Sequence, residues 1–134
     1  MSVNLTAENQ TVIRTAAYGA IHLLAFAGLA GSAHKVATEG SLSYASATGE
    51  VGHVLASKKN DFKLKGKTAA AVADQVLPAL AEAVGILKAQ DEAEAENFRK
   101  VVTVAVEAAN RAHKGAPSPS MAEMSRKITE ALNA

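Results

Sequence analysis

The chain has 134 residues, a formal net charge of +1, 49% hydrophobic residues, 4% aromatic residues and no cysteine. This length fits one domain, and the apolar fraction excludes an extended disordered chain. The balanced charge and the scarcity of aromatic side chains argue against nucleic-acid binding, and the lack of cysteine excludes disulfides and thiolate metal sites.

Thirty of the residues are alanine, which favours helices over strands. We therefore predict an all-α fold, an antiparallel four-helix bundle with a short fifth C-terminal helix. The bundle is expected over residues 1–114, a linker over 115–119, and the last helix over 120–134, packed on the bundle.

The first predicted helix begins at Thr6, whose hydroxyl is suited to cap the amides that follow. Its end is open between Gly28, Gly31 and a continuation to about Ala37, and Gly40 is the expected stop.

One stripe of this helix is polar over its first turns, which predicts that its N-terminal half faces water. The stripe consists of Thr11, Arg14, Thr15, Tyr18 and His22.

Residues 15–34 carry no charge and have the length of a membrane span. The small residues from Gly31 to Ala33 also resemble a signal-peptidase cleavage site. Large apolar side chains are few in this stretch, and the residues before it form a weak basic region. We therefore disfavour a signal peptide and a membrane span, and retain membrane association through residues 15–34 as an alternative.

The second predicted helix covers residues 42–56, with small residues on one face and bulkier ones on the next. Gly49 and Gly52 lie inside it and each cost about 1 kcal/mol relative to alanine. A strand over 51–55 is the alternative.

Five lysines lie within residues 58–67, which predicts a solvated loop. Gly66 to Thr68 resemble the end of a phosphate-binding loop, but Asp61 occupies the position of its first glycine, which excludes a nucleoside triphosphatase. Free amides at a helix start beside lysines still predict a weak anion site. Its residues are Lys63, Lys65, Lys67 and Thr68.

The third predicted helix starts near Thr68, is kinked or divided at Pro78, and ends near Ala89. The fourth starts at Glu92, although one long helix through residues 88–96 stays open. The fifth carries an apolar stripe, and its expected cap is a box formed by Ser120 with Glu123. The stripe consists of Met121, Met124, Ile128 and Leu132.

Glu50 and His53 are spaced to share one helix face, as ligands of a divalent metal do in helical bundles. No two histidines are three or four residues apart, so we predict no cofactor and keep a metal at this pair as an alternative. His22 lies among apolar residues with Tyr18 one turn earlier. Together with His53 they form the predicted small-ligand site.

No motif for a catalytic nucleophile or a dinucleotide is present, so we predict a non-enzymatic, cytoplasmic helical bundle that self-assembles or binds a protein partner. The expected partner is a second copy of the chain, because the first helix has more apolar surface than a small bundle needs. The predicted interface consists of Leu23, Phe26, Leu29 and Ala30.

Overall fold

The computed structural model describes residues 5–28, 33–45, 47–56, 64, 68–112 and 119–134. These residues form six helices and no strand, which confirms the all-α prediction. The helices are α1 Ala7–Gly28, α2 Ala33–Tyr44, α3 Gly49–Ala56, α4 Ala69–Gln90, α5 Glu92–Ala112 and α6 Pro119–Leu132.

Helices α1, α2, α4 and α5 pack together. Helix α1 contacts α2, α4 and α5, and α5 also contacts α2 and α4. The core between them is built of apolar side chains with almost no exposure, among them Leu24, Leu80 and Phe98. Helix α6 lies mainly on α1 and α4, and the short α3 lies mainly on α1 and α5.

The junction between α4 and α5 is a single residue, Asp91. Its backbone amide donates to the Leu87 carbonyl at 2.8 Å, and its carboxylate accepts from the Ala93 amide at 3.0 Å. One residue therefore closes α4 and opens α5. The predicted boundary between the two helices is confirmed, and the single long helix is not formed.

Caps made by neighbouring residues also open α1 and α4. The Thr6 hydroxyl accepts from the Asn9 amide at 3.1 Å, and the Thr68 hydroxyl accepts from the Ala71 amide at 3.1 Å. Both predicted starts are confirmed. The described part of the first helix ends at Gly28, one of the three expected ends, and residues 29–32 lie outside the described residues.

The prediction of one helix over 42–56 is wrong, because α2 and α3 are separate helices, and the strand alternative over 51–55 is wrong as well. Gly40 does not stop a helix. It is buried within α2, where an added Cβ would lie 2.7 Å from Cγ2 of Ile21, so its small size permits close packing of α2 on α1. The chain turns instead near Gly49, which has a φ of +77°.

Helix α4 continues through Pro78, so the helix is not divided there, while the alternative of a kink stays a prediction. One expectation about a helix start is corrected. Helix α6 begins at Pro119, a residue favoured in a first helical turn, so Ser120 lies inside the helix and is not its cap. The rest of the predicted linker lies outside the described residues.

Candidate functional site

The N-terminus of α3 is held by two side chains of α5. The Glu94 carboxylate accepts from the Val51 amide at 3.0 Å, and the Asn97 side-chain amide donates to the Thr48 carbonyl at 2.8 Å. An acidic group at a helix N-terminus satisfies a free amide and complements the helix dipole.

The C-terminus of α3 is held by two side chains of α1. Arg14 Nη1 donates to the Val54 carbonyl at 3.5 Å, and the Tyr18 hydroxyl donates to the Leu55 carbonyl at 2.7 Å. These carbonyls belong to the last turn of α3, where a cation complements the dipole. Thus an acid binds one end of the helix and a base binds the other.

A second tyrosine ties α2 to the same place. The Tyr44 hydroxyl donates to the Ala17 carbonyl at 2.5 Å, and the Tyr18 and Tyr44 rings meet edge to face at 5.1 Å between centroids. Burial raises the pKa of Tyr18, against the effect of the nearby Arg14 charge. Burial, and secondarily Tyr18, raises the pKa of Tyr44 well above 10. Both hydroxyls are therefore neutral donors at physiological pH.

These side chains form a polar clamp on α3, defined by Arg14, Tyr18, Tyr44 and Glu94. The expectation that the polar stripe of α1 faces water is wrong for Arg14, whose residue surface is only 1% exposed. The guanidinium donates to the Val54 carbonyl, which lies 40 residues away in sequence. Within α1 alone, no sequence signal points to that partner.

The three residues of the predicted ligand site have different surroundings. Tyr18 is half-buried and bonded to α3, while the side chains of His22 and His53 are both exposed. Neighbouring atoms nevertheless desolvate the His22 imidazole enough to lower its pKa. Binding of a ligand by these residues stays a prediction.

The predicted metal pair lies on α3, with Glu50 in its first turn and His53 in its last. Among the described residues, no group of three or more histidine and acidic side chains is placed to hold a metal ion. The pair therefore gains no third ligand from this part of the chain, and a metal here stays a prediction.

Of the four residues of the predicted anion site, the structure describes Thr68 alone. Thr68 caps α4 with its hydroxyl, while Lys63, Lys65 and Lys67 lie outside the described residues.

The structure describes two of the four residues of the predicted interface on α1. Leu23 is fully buried within the single chain and offers no surface to a second copy, so its assignment to the interface is corrected. Phe26 is 38% exposed and remains available for contact. Leu29 and Ala30 lie outside the described residues.

A surface groove of about 190 Å³ lies between the end of α2 and the middle of α5. It combines polar side chains, one cation and apolar side chains, which is the chemistry of a site for a small amphipathic molecule. Sequence reasoning missed it because the groove exists only where two distant segments pack together. Its lining residues are Ser43, Ala47, Thr48, Asn97, Lys100, Val101 and Val104.

Among the described residues, one helix has the length and composition of a membrane span, Ala69–Gln90. This helix is α4, which packs against α1, α5 and α6, and core helices of soluble proteins have the same length and composition. Of the stretch 15–34, the earlier candidate, residues 15–28 belong to α1 and residues 33–34 to α2, while residues 29–32 lie outside the described residues.

Comparison of the chain with protein-family models, with characterised proteins and with solved structures finds no match.

Proposed function

We propose that this chain is a non-enzymatic, cytoplasmic protein whose role is to assemble with copies of itself. In this proposal, an antiparallel four-helix bundle is formed by α1, α2, α5 and α4, and α6 covers one side of it. The observation that carries the proposal is a set of large apolar side chains left on the surface. Phe26 is 38% exposed, Leu42 is 58% exposed and Val104 is 46% exposed.

The location of these side chains supports assembly through α2 and α5. Leu42 lies on α2 and Val104 on α5, two helices that pack against each other. Val104 also lines the groove, together with Ser43, the chain neighbour of Leu42. Exposed apolar surface concentrated in one region is a common mark of a protein interface.

The use of the buried polar groups supports a non-enzymatic role. The hydroxyls of Tyr18 and Tyr44 and the guanidinium of Arg14 donate to backbone carbonyls of other helices. They hold the fold together, whereas catalytic groups would have to face a substrate.

The experiment is the mass of the purified full chain over a hundredfold range of concentration, measured by light scattering after gel filtration and by native mass spectrometry. We expect a discrete oligomer that dissociates on dilution. Leu42→Ser and Val104→Ser should weaken it, while Thr129→Ser on the exposed side of α6 serves as the control. Phe26→Ser tests the α1 surface separately. A monomer at every concentration would overturn the proposal.

The groove favours a second candidate function, the binding of a short-chain carboxylate. The Lys100 ammonium would pair with the carboxylate, while Ala47, Val101 and Val104 would contact the alkyl chain. The volume of about 190 Å³ is smaller than that of pockets for drug-sized ligands, roughly 300–1,000 Å³, so the ligand must be small.

This candidate is tested by titrating the labelled chain with butyrate and hexanoate and following amide shifts by NMR. Shifts confined to α5, the end of α2 and residues 47–48 that are lost in Lys100→Met would support it. Uniform shifts, or the same shifts in the variant, would exclude it. Native mass spectra of the untreated protein report any retained ligand.

A further inference from the structure

The exposed face of α5 carries an ordered row of charges around Val104. Its members follow each other at spacings of four, four, three and four residues, which places them on one side of the helix. All five are exposed. The row consists of Glu96, Lys100, Val104, Glu107 and Arg111.

The order of these charges is self-complementary when two copies of α5 lie antiparallel. A two-fold axis between Thr103 and Val104 relates position 100 to position 107, and the same axis relates position 96 to position 111. Lys100 then faces the partner's Glu107, and each pair of opposite charges occurs twice. Two separate acid–base pairs thus share one centre, which is the requirement of an isologous contact.

A parallel alignment of the same face loses this match. A parallel pairing of equal positions would place Lys100 against the partner's Lys100, and Glu107 against the partner's Glu107. In the described part of the chain, Lys100, Glu107 and Arg111 form no ion pair of their own, while Glu96 contacts Arg99. Among the described residues, no side chain thus competes with a partner for the charges of Lys100, Glu107 and Arg111.

We propose that this chain forms a two-fold symmetric dimer through the exposed face of α5, with Val104 at the centre and reciprocal pairing of Lys100 with Glu107. The inference rests on the proposed function of self-assembly and names its surface and its partner, a second copy of the chain. Charge complementarity selects the antiparallel register, and the apolar Val104 side chains fill the centre.

The test is a charge exchange measured by sedimentation velocity over a concentration series. Lys100→Glu alone places two acidic groups opposite each other, and Glu107→Lys alone places two basic groups opposite each other. Each should weaken dimerisation by at least about tenfold. The double variant K100E/E107K restores opposite charges and should return to within about threefold of the natural chain.

An equimolar mixture of the two single variants gives a second, independent readout. In the mixed dimer both pairs are attractive again, so the two chains should form heterodimers although each alone is mainly monomeric. Lys88→Glu, the same charge change on the exposed side of α4, is the control and should leave the dimer unchanged. Circular dichroism checks that every variant keeps its helix content.

The outcomes separate this inference from the proposed function. A natural chain that is monomeric at all concentrations overturns both. A dimer whose strength is unchanged in Lys100→Glu and Glu107→Lys overturns the α5 interface and leaves self-assembly standing. Weakening by the single variants without rescue in the double variant or in the mixture overturns the reciprocal pairing, because these charges then face some other surface.

Discussion

The α4–α5 hairpin and the short helix α3 secure their helix ends in opposite ways. The ends of α4 and α5 at their junction are closed by Asp91, and the start of α4 is capped by Thr68, its immediate neighbour. The ends of α3 are closed by Glu94, Arg14 and Tyr18, which are at least 37 residues away in sequence.

This difference predicts different responses to damage. A helix of about 20 residues with local caps retains much of its own stability, whereas an eight-residue helix is too short to persist without tertiary contacts. We expect α3 to be lost first whenever the polar clamp is weakened, while the α4–α5 hairpin persists.

The largest effect is expected from Arg14→Ala. The change leaves a cavity and an unsatisfied α3 carbonyl, so the free energy of unfolding should fall by about 3 kcal/mol. Arg14→Met refills the space of the side-chain stem, and we expect about half of that loss. Urea denaturation measures both values. The loss in Arg14→Met reports the contribution of the guanidinium, and the difference between the two variants reports the packing of the side-chain stem.

Hydrogen exchange then locates the damage caused by Arg14→Ala. Amides of α3 should lose protection while those of α4 and α5 keep theirs. Equal loss of protection in all helices would contradict the comparison, because it would show that Arg14 supports the whole core.

A smaller loss is expected from Glu94→Ala. This variant removes a hydrogen bond from a charged group to the start of α3, at a cost of about 1.5–3 kcal/mol. Glu92→Ala is the matched control, since both acids lie in the first turn of α5 and both complement its dipole. Thermal unfolding of the two variants should differ by the contribution of Glu94 to α3, and equal melting temperatures would remove Glu94 from the clamp.

Two glycine substitutions should change the free energy of unfolding in opposite directions. Gly49→Ala forces a side chain into a left-handed conformation and brings a Cβ to 2.7 Å from the Glu94 carboxylate. The strain alone should cost about 1–2 kcal/mol. Gly85→Ala, inside α4, meets no atom within 4 Å and should stabilise the protein by about 0.4–1 kcal/mol. Chemical denaturation measures the free energy of unfolding of both variants. A change in the same direction in both would contradict this prediction.

The same comparison explains which parts of the fold could be predicted from the sequence. The starts of α1 and α4 and the α4–α5 junction were predictable, because Thr6, Thr68 and Asp91 act on amides two or three residues away. The division between α2 and α3 was not. Gly40 and Gly49 look alike in sequence, and only the packing of Ile21 and the backbone angle show which one allows the chain to turn.

The candidate site was less predictable than the fold. Sequence patterns drew attention to histidines and lysines, but the groove and the polar clamp join residues of α1, α2, α3 and α5 that no spacing connects. Arg14 shows the limit most clearly, because a charge at the edge of a polar stripe is ordinarily solvated. Its buried guanidinium donates to the Val54 carbonyl of α3, a helix whose boundaries were themselves unpredicted.

The smallest effect we expect is a dependence of stability on alkaline pH that is specific to the polar clamp. The folded chain raises the pKa of Tyr44 well above 10, so above pH 10 the unfolded chain releases this proton more readily than the folded one. The contribution of Tyr44 to the free energy of unfolding is constant below pH 10 and is lost as the pH rises further. Between pH 8 and pH 10.5 one such tyrosine should lower the free energy of unfolding by about 1 kcal/mol.

Tyr44→Phe separates this contribution from the general alkaline titration of lysines. The variant is less stable at pH 8, because the Ala17 carbonyl loses its donor, but its stability should fall less steeply between pH 8 and pH 10.5. Denaturant unfolding at the two pH values measures both slopes. Parallel slopes for the natural chain and the variant would show that Tyr44 ionises alike in the folded and unfolded states, and the clamp around α3 would then be open to water.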